Sequence, residues 1–267
     1  MARYIITEKQ ERLLREIHAP IGRLKMQPVI YFYKELLYGI IYKKPRRTSA
    51  LVKEFFRNEM GFNIDKWQDE SVLSYLDDIT SNETSSTGWN ILKSYPKVLK
   101  SPAAISSLAY YLMKNFFKPQ KHQGLEYVKQ NDRPMYRFFF FDPEIQEFIG
   151  YMETRMSLSL PGKSMKVILS AIEKEYIGRG YGGKMYLCVL DQVDYLESDN
   201  TLYSESLSIW VNYLPKKVNV WAELDEIDEN NDAKVVKLSP KVFIKPDNIE
   251  ALVASSKKDV PPSYDHL

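Results

Sequence analysis

The chain has 267 residues, 44% of them apolar and 27% charged, and 37 basic residues nearly balance 35 acidic ones, for a net charge of +2. This composition excludes disorder throughout and collagen-like repetition, and so small a net charge does not indicate binding to nucleic acid or to a membrane surface. The single cysteine, Cys188, excludes an intramolecular disulfide and a cysteine-based zinc site, and three scattered histidines predict no metal site. No apolar run reaches the roughly 18 residues of a membrane helix, so we expect a cytoplasmic protein.

Residues 1–120 are predicted to form a mainly helical region. Apolar residues at helical spacing mark helices around Leu13–Ile17, over Ile30–Ile40, after Ser49, over Ser71–Leu76 and from Pro102 to Phe117. Ser49 is predicted to cap the third helix, and the basic cluster Lys43–Arg47 to break the chain before it. That cluster is also a candidate contact for nucleic acid, although a solvated loop is the preferred interpretation.

The sequence pattern changes after residue 120. Two apolar runs, Tyr136–Phe141 and Glu147–Glu153, flank an Asp-Pro turn at Asp142 and predict a β-hairpin. Val167–Ile172 is apolar at almost every position, which is typical of a central strand that is covered on both faces. A glycine-rich turn, Gly178–Gly183, and an amphipathic helix follow this strand.

The last third of the chain predicts a short strand at Thr201–Ser204 and a helix over Leu207–Leu224 that Pro215 interrupts or ends. Val235–Ile244 is predicted to form a closing hairpin about Ser239, and residues 246–267 a polar, mobile tail. The whole pattern predicts an α+β fold, with residues 121–245 as a second domain.

The order strand, glycine turn, helix predicts an anion site. The first N–H groups of a helix have no partner within it and lie at the positive end of its dipole, while glycines let a phosphate come close to the backbone. Arg179 and Lys184 add positive charge beside the turn. Gly178, Gly180 and Gly183 also match the spacing of a dinucleotide fingerprint, but a dinucleotide-binding domain opens with that turn, whereas here it comes late in the chain. A tight turn without a ligand is the alternative.

The segment Tyr136–Phe243, and above all Tyr176–Tyr186, resembles the GCN5-related N-acetyltransferase (GNAT) family, whose pyrophosphate loop reads Gln/Arg-x-x-Gly-x-Gly/Ala after its fourth strand. The resemblance implies a GNAT-like mixed central sheet with flanking helices, and acetyl-CoA as the co-substrate without a metal. The turn would hold the pyrophosphate, and the end of the preceding strand would pair with the pantetheine arm. The cofactor-binding residues implied are Ala171, Ile172, Gly178, Arg179, Gly180, Tyr181, Gly182, Gly183 and Lys184.

A second likeness is narrower. The stretch Thr201–Leu224 resembles several bacteriophage-encoded GNAT-like proteins, in which a short strand ends in Ser-Asp or Ser-Glu and a helix closes in Trp-x-x-Leu. It implies a phage origin, with the protein in the host cytoplasm or in the virion. The N-terminal third resembles no family; it either completes the GNAT-like fold or forms a separate module.

The chain departs from the family at three functional positions. The leading Gln/Arg of the loop, the glutamate base and the tyrosine acid fall on or near Ile177, Lys166 and Trp221. The candidates for the catalytic base that are left are Glu153 and Glu173, and those for the acid are Tyr203, Ser204 and Tyr213. Solvated carboxylates and packing or capping residues are the alternatives for these side chains.

Two functions follow from this resemblance. The first is an N-acetyltransferase that moves an acetyl group from acetyl-CoA to an unidentified amine by direct attack. The alternative is a catalytically degenerate GNAT-fold assembly protein, such as a phage virion component, with protein partners on its helical N-terminal region. An enzyme needs an open slot between two strands beside the glycine turn, whereas in an assembly protein large side chains can fill that slot.

Overall fold

A computed structural model describes residues 44–58, 68–80, 102–132, 134–199, 204–227, 233–239 and 249–258. The described residues belong to two compact units. The first contains three helices and the tip of a β-hairpin, Phe141–Phe148, and the second contains the rest of the chain from Gln120 onward. The helices predicted near Leu13–Ile17 and over Ile30–Ile40 lie outside the described residues.

The helices of the first unit are α1 (Pro45–Asn58), α2 (Asp69–Thr80) and α3 (Pro102–Phe116). As predicted, α3 opens with a proline, whose fixed φ suits the first helical turn. The hairpin tip is held to α3 by the Phe148 N–H, which donates to Ser106 Oγ at 2.7 Å. The helices bury mainly aliphatic and aromatic side chains: Val52, Phe55, Phe56, Val72, Leu76, Leu108, Leu112 and Met113.

The start of α1 differs from the prediction. The helix begins at Pro45, so part of the basic cluster is helical rather than a break. Ser49 is not its cap; the buried Ser49 hydroxyl donates to Asp69 Oδ1 on α2 at 2.8 Å, and Lys53 forms an ion pair with the same carboxylate. Arg47 lies over the ring of Phe116, with 4.9 Å between guanidinium carbon and ring centroid, so this cation helps to join α1 to α3.

The second unit is built on a nine-stranded sheet with the order β1-β2-β3-β4-β5-β6-β9-β7-β8. Its strands are β1 (Gln120–His122), β2 (Leu125–Asp132), β3 (Met135–Asp142), β4 (Glu147–Met156), β5 (Ser164–Ile172), β6 (Tyr195–Glu197), β7 (Asn219–Ile227), β8 (Ala233–Lys237) and β9 (Ile249–Ser255). β5 and β6 are parallel, whereas β4 and β5, β6 and β9, and β7 with both its neighbours are antiparallel. This mixed sheet with flanking helices confirms the predicted α+β class.

The hairpin predicted around the Asp-Pro turn is formed by β3 and β4. Asp142 shapes the turn, because its Oδ1 accepts a hydrogen bond from the Glu144 N–H at 2.8 Å, as in an Asx-turn. The glycine turn is followed, as predicted, by a helix, α4 (Tyr181–Leu190). Nearly all of α4 is buried, and its side chains pack against β4, β5, β7 and β9 through residues such as Met152, Val167, Val220 and Leu252.

The helix predicted over Leu207–Leu224 is confirmed only as far as Lys216. α5 (Ser204–Ser208) continues as a π-helical turn, Ile209–Tyr213, and ends in a 3₁₀ turn that contains Pro215. From Asn219 the chain is β7, because Val220, Ala222 and Leu224 alternate into the core, which is the period of a strand and not of a helix.

Besides β7, four strands were not predicted: β1, β2, β6 and β9. The predicted tail contains β9, whose apolar run Leu252–Ala254 is buried between β6 and β7. The described part of the predicted closing hairpin, β8, pairs with β7. The short hairpin of β1 and β2 turns at Gln123 and Gly124, both at positive φ (52° and 77°), and the sequence interpretation did not include it.

Candidate functional site

The two neighbours of β5 pair with it over different lengths. Antiparallel pairing with β4 extends from Met165 to Ile172, whereas parallel pairing with β6 covers only Ser164–Lys166. Beyond Lys166, no described strand pairs with this edge of β5. We call the place where β5 and β6 part after Lys166 the fork. The peptide groups on the open edge of residues 167–172, which point away from β4, do not pair with any described strand.

A β-bulge lies just inside the fork. Glu153 and Thr154 on β4 oppose Leu169 and Val167 on β5, so Ile168 is an extra residue on β5. A bulge bends its strand and increases the local twist. Residues 168–172, from the bulge to the end of β5, are half-buried.

The glycine turn joins the open end of β5 to α4. Gly178 and Gly180 have φ of 82° and 81°, and a Cβ added to either would meet no atom within 4 Å. Glycine is therefore required for its left-handed conformation, while the space above both residues is open. Gly180 is the N-cap residue of α4 and gives no side-chain cap, so the positive end of this helix lies at the turn.

The other two glycines serve packing. A Cβ on Gly182 would lie 2.7 Å from Ile209 Cδ1, and one on Gly183 would lie 2.2 Å from the ring of Tyr213. Both glycines are buried and allow the first turn of α4 to contact the π-helical turn closely. The glycine cluster thus has two structural tasks, which its sequence alone does not separate.

Two cations are held beside the turn by aromatic rings. Tyr176 and Tyr181 pack edge to face, with ring centroids 5.6 Å apart. Arg179 lies 5.4 Å from the centroid of Tyr176, and Lys184 lies 5.2 Å from that of Tyr181. Such cation–π contacts restrict long side chains, so positive charge is positioned at an open turn. Ile177 is 60% exposed and its side chain offers no hydrogen bond, so any anion here depends on backbone N–H groups and these cations.

Glu173 lies between the end of β5 and the turn and is 2% exposed. Its N–H donates to the Ile149 carbonyl at 2.9 Å, which continues the pairing with β4. Its Oε1 has no hydrogen-bond partner among the described residues. Burial, and then the negative charge of Glu175, raise the pKa of Glu173 to about 8, so it is a neutral carboxylic acid at pH 7.

Glu153, the other candidate base, lies at the bulge. Its Oε2 accepts a hydrogen bond from the Tyr151 hydroxyl at 2.5 Å and lies 3.5 Å from Arg137 Nε on β3. The carboxylate therefore has a phenol and a guanidinium as neighbours. The sequence interpretation did not include either of them, although Tyr151 and Glu153 are two residues apart on a strand and so share a face.

Lys166 closes the fork through an ion pair. Its Nζ lies 2.8 Å from Oε1 of Glu197 on β6, and the two side chains are 12% and 7% exposed. The second oxygen, Oε2, accepts hydrogen bonds from Ser157 Oγ at 2.8 Å and Ser159 Oγ at 3.2 Å. Lys166 stands where the GNAT pattern places a glutamate, and its partner Glu197 was not a predicted site residue, because the two lie 31 positions apart in sequence.

The remaining predicted residues are placed as follows. Trp221 is buried in a small apolar cluster with Leu160, Tyr195 and Val253. Tyr213 is half-buried against Gly183, Ser204 opens α5, and Tyr203 lies outside the described residues. In the described part of the chain, no group of three His, Cys, Asp or Glu side chains is arranged to hold a metal ion. No helix in that part combines the length and the apolarity needed to cross a membrane.

No protein-family model and no curated protein matches the chain. Among solved structures it is similar to GCN5 from Tetrahymena, with 13% identity over 67% of this chain and 94% of that one and a TM-score of 0.28. A GNAT-family acetyltransferase from Staphylococcus aureus Mu50 has 13% identity over 81% and 94% of the two chains and a TM-score of 0.27. The ribosomal-protein-S18-alanine N-acetyltransferase from Escherichia coli has 10% identity over 43% of this chain and 77% of that one, with a TM-score of 0.26. These values record a likeness to acetyltransferases, and the functional argument below is based on the fork and the turn.

Proposed function

We propose that the chain is an acetyl-CoA-dependent N-acetyltransferase that transfers the acetyl group directly to an amine. The observation that carries this proposal is the fork, whose open edge leads to a glycine turn and the N-terminus of α4. An extended pantetheine arm with two amides can pair with the edge of β5 as a strand would, while the pyrophosphate meets the turn. The proposed contacts are Ala171, Ile172, Gly178, Arg179, Gly180, Tyr181, Gly182, Gly183 and Lys184.

The direction of the arm decides between the two candidate bases. The open edge from Ile172 back to Val167 spans five residue steps, or about 16 Å at ~3.3 Å each. With the pyrophosphate at the turn, the thioester lies towards the closed end of the fork. Glu173 then stands beside the phosphates, away from the reacting carbon. Glu153, at the bulge near the middle of this edge, is the base we propose.

In this mechanism Glu153 accepts a proton as the acceptor amine attacks the thioester carbonyl. The C–N bond forms, the C–S bond breaks, and the sulfur leaves as a thiolate that needs a proton donor. Tyr203 remains the proposed donor. The sequence does not identify the residues that bind the acceptor amine. Arg137 and Tyr151 orient the Glu153 carboxylate.

Thermal unfolding with and without acetyl-CoA or CoA tests the site. A ligand of the folded state adds about 2.7 kcal/mol of stability at a hundredfold excess over Kd, so the unfolding midpoint must rise. Arg179→Gln should reduce this shift, because Arg179 is exposed at the turn and its loss leaves the core intact. Arg57→Gln is the matched control, since Arg57 is an exposed arginine in the last turn of α1. The absence of any shift at millimolar ligand would refute the proposal.

A second candidate is a GNAT-fold binding or assembly protein without catalysis, such as a virion component. The observation that favours it is that Glu153 and Lys166 both form ion pairs and Trp221 is buried in an apolar cluster, so these three residues have structural roles. This candidate predicts no release of free CoA from acetyl-CoA with any amine of a broad panel, together with a large assembly in light scattering. An acetyltransferase predicts a monodisperse protein that releases CoA with one amine class.

A further inference from the structure

The closed end of the fork contains an amine, a base and groups that orient the base. Lys166 Nζ is the amine, Glu197 Oε1 is the base at 2.8 Å, and the hydroxyls of Ser157 and Ser159 hold Oε2. A nucleophile within hydrogen-bond reach of a base that a third group orients is the arrangement found in covalent catalysis. A buried ion pair adds little net stability compared with apolar side chains of similar volume, so its presence at this position is not explained by stability alone.

The position of the amine follows from the strand geometry. Met165 and Val167 point into the core that contains α4, so Lys166, between them, points to the opposite face of the sheet. It is also the last residue of β5 that pairs with β6, and the open edge begins at the next residue. A thioester whose pantetheine arm lies along that edge reaches the fork beside this side chain.

We propose that Lys166 is a self-acylation site, at which the chain transfers the acyl group of a bound CoA thioester to its own Nζ. This inference rests on the proposed CoA site. It adds to that function a modification of the protein itself, and the substrate class is an acyl thioester of CoA.

The step balances with the groups present and the bound thioester. The Glu197 carboxylate takes one proton from the Lys166 ammonium, and the neutral amine attacks the thioester carbonyl. The N–C bond forms, and the C–S bond breaks with its electron pair on sulfur. The proton held by Glu197 passes to the thiolate, and the remaining excess proton on nitrogen goes to solvent, so that the products are free CoA and acetyl-Lys166.

The product changes the fork. An amide does not pass its acyl group on under these conditions, so acetyl-Lys166 is a lasting modification and not an intermediate of acetyl transfer. Acetylation removes the positive charge that faces Glu197, and among the described residues the two serine hydroxyls then remain as donors to the carboxylate. The ion pair at the last paired residues of β5 and β6 is thereby lost.

Peptide mass spectrometry after incubation of the full chain with acetyl-CoA tests this inference. We expect Lys166 to reach about one acetyl group per chain, at a rate that saturates with acetyl-CoA and falls when excess desulfo-CoA is present. Lys163, exposed in the turn between β4 and β5, is the internal control and should react at least about 10²-fold more slowly, the smallest effect typical of general-base catalysis. Glu197→Gln should slow the acetylation of Lys166 by a similar factor, and Lys166→Arg should abolish the added mass of the acetyl group.

The result separates this inference from the proposed function. If CoA raises the unfolding midpoint but Lys166 stays unmodified, self-acylation is overturned and the CoA site stands. If Lys166 reacts no faster than Lys163, or is insensitive to desulfo-CoA, the labelling is ordinary surface chemistry and the inference is also overturned. If CoA produces no midpoint shift, the proposed function fails and the inference fails with it. The competition with desulfo-CoA uses the unaltered chain, so the test does not depend on Glu197→Gln folding.

Discussion

Replacing Glu173 with glutamine should change how the stability of the protein depends on pH. Burial and Glu175 raise the pKa of Glu173 from 4.5 in a model compound to about 8. Between these values the carboxyl keeps its proton in the folded protein and loses it in the unfolded chain. The folded state thus binds more protons, so the free energy of unfolding falls as the pH rises from about 4.5 to about 8. Above pH 8 the carboxyl is ionised in both states, and the free energy of unfolding falls no further on account of Glu173.

The magnitude follows from the size of the shift. One pH unit corresponds to about 1.4 kcal/mol for one proton, so the full interval sets an upper limit of about 5 kcal/mol. Glu173→Gln keeps the shape of the side chain without a titrating group. We therefore expect this variant to gain stability over the parent as the pH rises from 5 to 8, by at most about 1.4 kcal/mol per unit, and the gain to level off above that.

Urea unfolding of both proteins at several pH values between 5 and 9.5 measures this difference. Glu175→Gln is the control, because removal of that negative charge should lower the pKa of Glu173 and move the plateau to lower pH. A stability difference between parent and Glu173→Gln that stays constant across this range would refute the claim that Glu173 is buried as a neutral acid.

Three further predictions concern stability and reactivity. Gly183→Ala should destabilise the fold by roughly 1–3 kcal/mol in urea unfolding, because its Cβ would overlap the Tyr213 ring, and the added variant Tyr213→Leu should recover part of that loss. Lys166→Met should lower the free energy of unfolding by about 3–5 kcal/mol, because it leaves Glu197 buried without its cation. The double variant Lys166→Met/Glu197→Leu should unfold near the parent midpoint. An equal loss of stability in the single and the double variant would contradict a buried ion pair. The Cys188 thiol is buried and its pKa is raised to about 12, so iodoacetamide should modify it only after unfolding, and rapid labelling of the native protein would disprove this placement.

Local sequence signals predicted the parts of the fold that local chemistry determines. The Asp-Pro turn between β3 and β4, the proline that opens α3 and the glycines before α4 each restrict the backbone within a few residues. The signal in β7 was available but overlooked, since Val220, Ala222 and Leu224 alternate with polar or outward-facing residues. β9 was missed because its short apolar run stands among polar residues, and its burial comes from β6 and β7, which lie far from it in sequence.

The candidate site also has one part that local sequence predicts, the glycine turn, and one part that depends on the fold, the fork. The turn is a local motif, so its glycines and cations could be predicted as an anion site. The fork depends on where the pairing between β5 and β6 ends, and on an ion pair between residues 31 positions apart, neither of which a local pattern encodes. Resemblance to a family therefore predicts residues that would bind the phosphates. The residues at the closed end of the fork can be found only from the fold. Lys166 and Glu197 form the ion pair at the closed end of the fork. The measurement that separates acetyl transfer from binding alone is the release of CoA from acetyl-CoA with an added amine, and not the affinity for CoA.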